Sequence, residues 1–220
     1  MSKNDLPDIY FIRHGETDWN AQGRYQGRRD IPLNARGRTQ ADANGPLLSK
    51  LLEQNNLLPS ELDWYVSPLS RARETMDRIR ASFDPSIADT MIDEQLIEIS
   101  FGKFEGFLHS DLMRDGIIKQ GERGAEFWHF QPENGESYNQ VAARINPFVS
   151  ALDKPSVIVS HGGIARVFRH VVEGFSHVNA VNWPTPQNAV LHFSNGEMTL
   201  HESEVSSGRS GVFASERSPG

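Results

Sequence analysis

Apolar residues along this chain fall into short unbroken runs and into stripes with helical spacing, and the two kinds alternate. Ile9 to Ile12, Trp64-Tyr65-Val66 and Val157-Ile158-Val159 are too short for buried helices and are bounded by polar or glycine-containing segments, so they read as buried strands. Asn34 opens the first helical stripe, which passes through Gln40 and Ala41, is expected to break at Gly45-Pro46, and resumes with Leu47, Leu48, Leu51 and Leu52 on one face. Ser67-Pro68 has the form of a helix cap followed by proline at the first helical position. Ser137 has the form of a cap too, ahead of Tyr138, Val141, Ala142, Ile145, Phe148 and Leu152 at a 3.6-residue period, with a bend expected at Pro147. Segments 188–193 and 198–201 predict a closing hairpin about Ser194-Asn195-Gly196. Between Ile92 and Ser137 the pattern is irregular and predicts a short strand or loop, a helix near Ser110 to Gln120, and a cap over the sheet edge. The whole predicts an α/β architecture, a mostly parallel sheet flanked by helices.

Two of the strand runs end in the same way. Ile12 is followed by Arg13-His14-Gly15, and Val159 by Ser160-His161-Gly162-Gly163. A lone arginine-histidine pair is more often a core histidine beside a surface cation. Two histidines at strand ends of one parallel sheet can converge, however, at the carboxyl edge where open α/β sheets bind ligands. The glycine amides and a helix N-terminus add donors for an anion there. Arg71 lies in the first turn or so after Ser67-Pro68, and Arg73, two residues on, is roughly 200° around the axis, so only one of them can face the sheet edge. Arg71 is the expected one and Arg73 is expected in solvent; the competing reading pairs both with Glu74 and Asp77 as surface charges. Glu98 sits amid Leu96, Ile97, Ile99 and Phe101, where a carboxylate is poorly solvated. That suits a proton donor, against the plainer reading of an exposed glutamate on an amphipathic edge.

Composition limits the partners. The 220 residues carry a formal net charge of -7, so attraction to phosphate has to come from a few cations gathered in a cleft. Nucleic acid and anionic membrane are not expected as partners, and a small phosphorylated substrate is. There is no cysteine, which removes disulfides and thiolate metal sites, and no apolar run approaches the roughly 20 residues of a membrane span. The first eight residues lack the apolar stretch of a signal peptide, so a cytoplasmic enzyme is expected. Without a compositional break, residues 1–202 are expected to form one catalytic domain, with a variable substrate-mouth segment about 99–136 and a serine- and glycine-rich polar tail over 203–220. The pattern leaves the oligomeric state open.

Four separated motifs carry a resemblance. Arg13-His14-Gly15-Glu16-Thr17, Ser67-Pro68-Leu69-Ser70-Arg71-Ala72, Glu98 within L-x-E-x-x-x-G-x-x-E-G, and Ser160-His161-Gly162-Gly163 together resemble the histidine phosphatase superfamily, also called phosphoglycerate mutase-like, over roughly residues 8 to 193. The resemblance implies a three-layer α/β/α fold. It makes His14 the phosphate-accepting nucleophile, Arg13, Arg71 and His161 the other members of the phosphate pocket, and Glu98 the proton donor. Asn20, Gln26 and the Gly162 amide fall where members often add substrate contacts. Neither a cofactor nor a metal is implied.

These residue types fit phosphoryl transfer, where the protein chiefly positions groups and stabilises charge on three phosphoryl oxygens. Two arginines and a second histidine are expected to supply that charge and to hold His14 unprotonated, with its other ring nitrogen on an acceptor such as a backbone carbonyl. A metal-dependent site built from His14, Glu16, Asp18 and His161 conflicts with two arginines in the same pocket. A phosphoglycerate mutase shares every catalytic residue. Against it, Arg24 to Leu33 and the stretch from Phe127-Trp128 to Ser137 look like the small phosphatases, and the mutases' basic insertion has no convincing match. A non-enzymatic phospho-ligand-binding relative is expected to have lost His14 or Glu98, and both are present. The other histidines, His109, His129, His170, His177, His192 and His201, are expected at surface or packing positions, with His129 or Trp128 as candidates for the substrate mouth.

Overall fold

The computed structural model describes residues 6–85, 87–118 and 124–205. In chain order the elements are β1 Ile9–Arg13, α1 Asp18–Gln22, α2 Ala35–Gln54, β2 Asp63–Val66, α3 Ser70–Arg80, β3 Thr90–Ile92, α4 His109–Arg114, α5 Tyr138–Ser150, β4 Ser156–Ser160, α6 Gly162–Phe168, α7 His177–Asn182, β5 Ala189–Ser194 and β6 Glu197–Glu202. The sheet runs β3-β2-β4-β1-β5-β6. The first four strands are mutually parallel, and β5 and β6 are antiparallel additions at one edge. The hairpin between them turns on Asn195 and Gly196, both with positive φ, as a two-residue loop of the expected type requires.

Each central strand is apolar on both faces because each face has its own helical layer. Ile9 and Phe11 of β1 and Ile158 of β4 pack into a core with α5 and α6, through Val141, Ile145, Phe148, Ile164 and Phe168. Tyr10, Ile12, Val157 and Val159 point the other way, onto Leu48, Leu51, Leu52, Met76 and Ile79 of α2 and α3. The result is the expected three-layer α/β/α sandwich.

Local expectations failed in instructive places. Helix α2 runs through Gly45-Pro46 without a break. A proline inside a helix costs about 3 kcal/mol, but three buried leucines on the far side of it contribute roughly 1.5–3 kcal/mol each, and the packing prevails. Gly45 has its own reason: a Cβ there would lie 2.3 Å from Ser82 Oγ and 3.0 Å from Ile79 O at the end of α3. Pro147 likewise sits inside a continuous α5. Ser67 does not cap α3, whose N-cap is Leu69. The helix expected near Ser110 to Gln120 is shorter, with Gly116 at positive φ just after it; Gln120 lies outside the described residues. Residues 203–205 are not tail, since Ser203 N and Oγ donate to Asn188 O and Val205 O accepts from Asn188; the rest of the expected tail, 206–220, lies outside the described residues. Among the described residues no helix is long and apolar enough to cross a membrane.

Candidate active site

Strand register builds the site. Arg13 of β1 pairs with Ser160 of β4, so the next residue on each strand is a histidine and the two emerge side by side, ring centroids 5.1 Å apart. His14 N donates to Ser160 O at 2.9 Å, which fixes the junction. Gly15 then lies against the first turn of α2: a Cβ on it would fall 2.2 Å from Gly37 O, so no other residue fits without moving the helix.

The state of His14 follows from its two contacts. Nδ1 is 2.7 Å from Gly15 O, and because a carbonyl only accepts, Nδ1 carries the hydrogen. Nε2 accepts from Arg71 Nε at 3.2 Å and therefore keeps its lone pair. Burial in the first place, then the Arg71 and Arg13 charges, push the imidazole pKa well below 6.5. At neutral pH His14 is an uncharged base with a defined nucleophilic nitrogen.

Arg71 is completely buried, while Arg73 is exposed as expected. Its NH1 and NH2 donate to Arg29 O and Gly27 O, both at 2.8 Å, and among the described residues it forms no ion pair. Burial lowers its pKa to about 10. Arg13 donates from NH1 to Thr185 O at 2.5 Å and to Thr185 Oγ1 at 3.1 Å, while its Nε is buried without a partner among the described residues. Burial first, and the Arg166 charge second, lower its pKa to about 10 as well. Two guanidinium groups, Arg71 fully and Arg13 partly buried, are hydrogen-bonded by neutral acceptors rather than by carboxylates, an arrangement that a phosphoryl group can complement.

His161 is also fully buried, with Nε2 2.6 Å from Ser67 Oγ and Nδ1 buried without a partner. Burial, then Arg71, His14 and Arg13, push its pKa well below 6.5. This corrects one expectation: the second histidine of the free protein brings a neutral imidazole, and the positive charge belongs to the two arginines.

Glu98 follows a short turn at Glu94–Leu96 and is almost fully buried. Its Oε1 accepts from its neighbour Ile99 N at 2.9 Å and its Oε2 from Gly163 N at 3.2 Å. The paired glycines of the second motif have separate steric tasks. A Cβ on Gly162 would meet Thr185 Oγ1 at 2.8 Å and Arg13 Nε at 3.2 Å, and one on Gly163 would meet Glu98 Oε1 at 2.4 Å. The start of α6 is thus the surface on which Arg13 and the candidate acid Glu98 both rest. Asn20 lies in α1 and Gln26 in the loop that follows it, where Asn20 Oδ1 accepts from Thr17 N and Gln187 Nε2 and Gln26 Oε1 accepts from Thr17 Oγ1. Their carbonyl oxygens brace the loop, so any anion contact falls to their NH₂ groups.

The model of the histidine phosphatase superfamily (branch 1) matches residues 9–204. The chain belongs to this superfamily. It is 31% identical over 191 residues to the glucosyl-3-phosphoglycerate phosphatase of Mycobacterium tuberculosis (strain CDC 1551 / Oshkosh), covering 80% of this chain and 78% of the relative. It is 28% identical over 179 residues to the 2,3-bisphosphoglycerate-dependent phosphoglycerate mutase of Bartonella henselae, covering 76% of this chain and 82% of that one. Among solved structures, the mycobacterial glucosyl-3-phosphoglycerate phosphatase complexed with VO3 superimposes with a TM-score of 0.71 at 27% identity, over 91% of this chain and all of that one.

Beyond the expected superfamily residues, the structure brings in three that sequence reasoning missed. Ser67 showed a signal, a serine before proline at a strand end, but it was read as a cap. Thr185 and Gln187 come from the irregular segment before β5 and showed none. Thr185 holds Arg13, and Gln187 Nε2 donates to His14 O at 3.1 Å as well as to Asn20. Trp128 does not line the mouth; it is buried in the core and stacked on His177. Glu16, a ligand in the discarded metal reading, is turned toward α2, where its Oε1 accepts from Asn34 Nδ2 at 3.0 Å.

Proposed function

We propose that this protein is a metal-independent phosphomonoesterase that hydrolyses a small phosphorylated metabolite through a phosphohistidine on His14. The observation that carries the reading is His14 itself: its Nδ1–H is bound by Gly15 O and its Nε2 lone pair lies against the buried Arg71. Nε2 attacks phosphorus as the bond to the leaving oxygen breaks. Arg71 Nε–H moves from Nε2 to a phosphoryl oxygen, and Arg13 and His161 supply further donors. The departing alkoxide takes the proton of a protonated Glu98. Water then attacks the phosphohistidine and loses its proton to the Glu98 carboxylate, which frees inorganic phosphate and restores His14.

The same residues would serve a mutase, and one relative bears that name. A specific observation favours hydrolysis. Among the described residues of segment 99–136 the cations are Lys103 and Arg114, and acidic neighbours hold both: Lys103 pairs with Glu133 at 2.5 Å and Arg114 with Asp111 at 2.8 Å. Neither of these two cations stands unpaired as a basic grip that would retain a phosphoglycerate between its two half-reactions; Lys119 and Arg123 of the same segment lie outside the described residues. A single catalytic unit over 1–202 with its mouth about 99–136, substrate contacts from Asn20, Gln26 and Gly162, and a cytoplasmic location belong to the same proposal; the polar first eight residues and the cysteine-free chain support the last.

The test is to assay purified protein, with and without EDTA, against a panel of phosphorylated metabolites that includes 3-phosphoglycerate with its bisphosphate primer. Phosphate release unaffected by the chelator is expected. Formation of 2-phosphoglycerate faster than phosphate release would assign a mutase instead.

A further inference from the structure

Ser67 follows β2, and the strand order carries it to the second histidine. Val66 is in register with Val159 of β4, and Ser67 N donates to Val159 O at 3.1 Å, so the residues that follow Val66 and Val159 run on next to each other. The Ser67 side chain is fully buried, and its Oγ lies 2.6 Å from His161 Nε2. Such a pair can be written with the hydrogen on either atom, and the surroundings decide between them.

A hydroxyl has one hydrogen and two lone pairs. Leu69 N, 3.4 Å away, donates weakly onto Ser67 Oγ, and among the described residues His161 Nε2 is the one acceptor within reach of the hydroxyl hydrogen. If Nε2–H donated to Oγ instead, that hydrogen would be buried without an acceptor, and His161 Nδ1 would offer a bare lone pair to a pocket meant for phosphoryl oxygens. If Ser67 donates to Nε2, the imidazole hydrogen sits on Nδ1. Among the described residues Nδ1 is buried without a protein partner beside the His14 ring, so it becomes an N–H that the protein itself does not pair and that an anion can accept from. An unmet buried donor is costly in an empty site and becomes a gain once filled.

We propose, resting on the phosphatase reading above, that Ser67 is a positioning residue whose hydroxyl donates to His161 Nε2, fixes the Nδ1–H tautomer and so reserves that N–H for a phosphoryl oxygen. The two histidines then carry the same tautomer to opposite ends. His14 has its Nδ1–H bound by Gly15 O and presents a lone pair to phosphorus, while His161 has its Nε2 occupied by Ser67 and presents a hydrogen to oxygen.

The tautomer is read directly from the wild-type protein by long-range ¹H–¹⁵N spectra of the imidazoles above pH 7, with the His161 signals assigned by their loss in His161→Gln. A protonated Nδ1 and an unprotonated Nε2 are expected. Nε2–H would overturn the proposal, whatever becomes of any variant. In Ser67→Ala the Nδ1–H preference should fade and inhibition by orthovanadate should weaken about 10- to 100-fold, the range for a hydrogen bond to a charged group. Ser67→Thr, which keeps the hydroxyl, should restore most of both. An unchanged tautomer and unchanged orthovanadate inhibition in Ser67→Ala would also overturn it. Because the spectrum needs no turnover, a protein with the Nδ1–H tautomer that hydrolyses no phosphate ester would keep the Ser67 assignment and lose the phosphatase reading.

Discussion

Three arginines near Gly27, Arg71 on one hand and Arg28 and Arg29 on the other, show how differently the floor and the mouth of the candidate site are held. At the floor, Arg71 is fully buried and directs its donors to Gly27 O, Arg29 O and His14 Nε2, with no carboxylate in contact among the described residues. At the mouth, Arg28 and Arg29 pair with Glu136 and Glu105 through side chains that are 41% and 68% exposed. A charge in the low-dielectric floor interacts strongly with an incoming phosphoryl group, and one at the mouth is screened by water. Arginine contacts at the floor run mostly to backbone carbonyls of the loops at Gly27, Arg29 and Thr185, whereas the mouth pairs join exposed side chains that can exchange partners. The comparison indicates fixed chemistry beneath an adjustable opening, which suits a scaffold whose relatives act on different phosphate esters.

The largest expected effect removes His14, the nucleophile proposed at the floor. His14→Ala should reduce kcat/KM roughly 10⁴-fold or more and abolish acid-labile labelling of the protein by substrate. Labelling that persists would move the nucleophile elsewhere and undo the contrast at its centre. Glu98→Gln comes next, and its effect should depend on the leaving group. An alkyl phosphate expels a basic alkoxide and needs a proton, so phosphorylation should slow about 10²- to 10⁴-fold; p-nitrophenyl phosphate expels a stabilised phenolate and should lose far less. The comparison is made on kcat/KM, because the proposed mechanism also uses Glu98 in the hydrolytic half-reaction. Equal losses would mean that Glu98 only shapes the pocket. Glu105 would then need a closer look, although its Oε1 already accepts from Arg28 N and Phe101 N.

The floor was largely legible in the sequence because its chemistry sits where regular structure ends. A strand buried on both faces leaves a run such as Ile9 to Ile12, and the polar residue after it has to do something at the sheet edge. Runs and spacing therefore turn His14, His161 and Arg71 toward the sheet's carboxyl edge, and the family resemblance implies that they share one pocket with Arg13. What local pattern hides is any contact made across the fold. Thr185 and Gln187 reach Arg13 and His14 from more than 170 positions away, out of a segment with no periodicity. Ser67 was visible but misassigned, because serine before proline has the same form whether it caps a helix or faces a histidine. The unbroken α2 was missed for a related reason: the packing that outweighs Pro46 is tertiary.

Gly163→Ala sharpens the contrast by striking the floor through its backbone. The added methyl would start 2.4 Å from Glu98 Oε1 and 2.7 Å from Ile99 Cγ2, so the carboxylate has to leave its place on the Gly163 amide. A displacement of about 1 Å in a catalytic group can cost roughly 10²-fold, and kcat/KM on alkyl phosphates should fall by about that much. The loss should follow the leaving-group pattern of Glu98→Gln, and the double variant should be little worse than Glu98→Gln alone. Additive losses would separate the glycine from the acid.

The smallest effect tests the mouth. Arg28 spans the two regions: its Nε donates to Glu98 O at 3.3 Å, and its guanidinium pairs with Glu136 Oε1 at 2.9 Å. If the floor is held independently, Arg28→Ala should matter little. The Glu98 carboxylate would keep its amide donors, Ile99 N and Gly163 N, and Glu136 would keep Ser100 N and Arg144. An exposed ion pair contributes about 0.2–1 kcal/mol, so kcat/KM on p-nitrophenyl phosphate should drop no more than about fivefold. The gap between variant and wild type should also narrow as salt rises, since added ions already weaken the pair in the wild type. Substrates with large leaving groups should feel the change more than p-nitrophenyl phosphate does, because they extend into the opening. A salt-independent loss of about 10²-fold on every substrate would show that Arg28 acts through the Glu98 backbone, and would move it from the mouth to the floor.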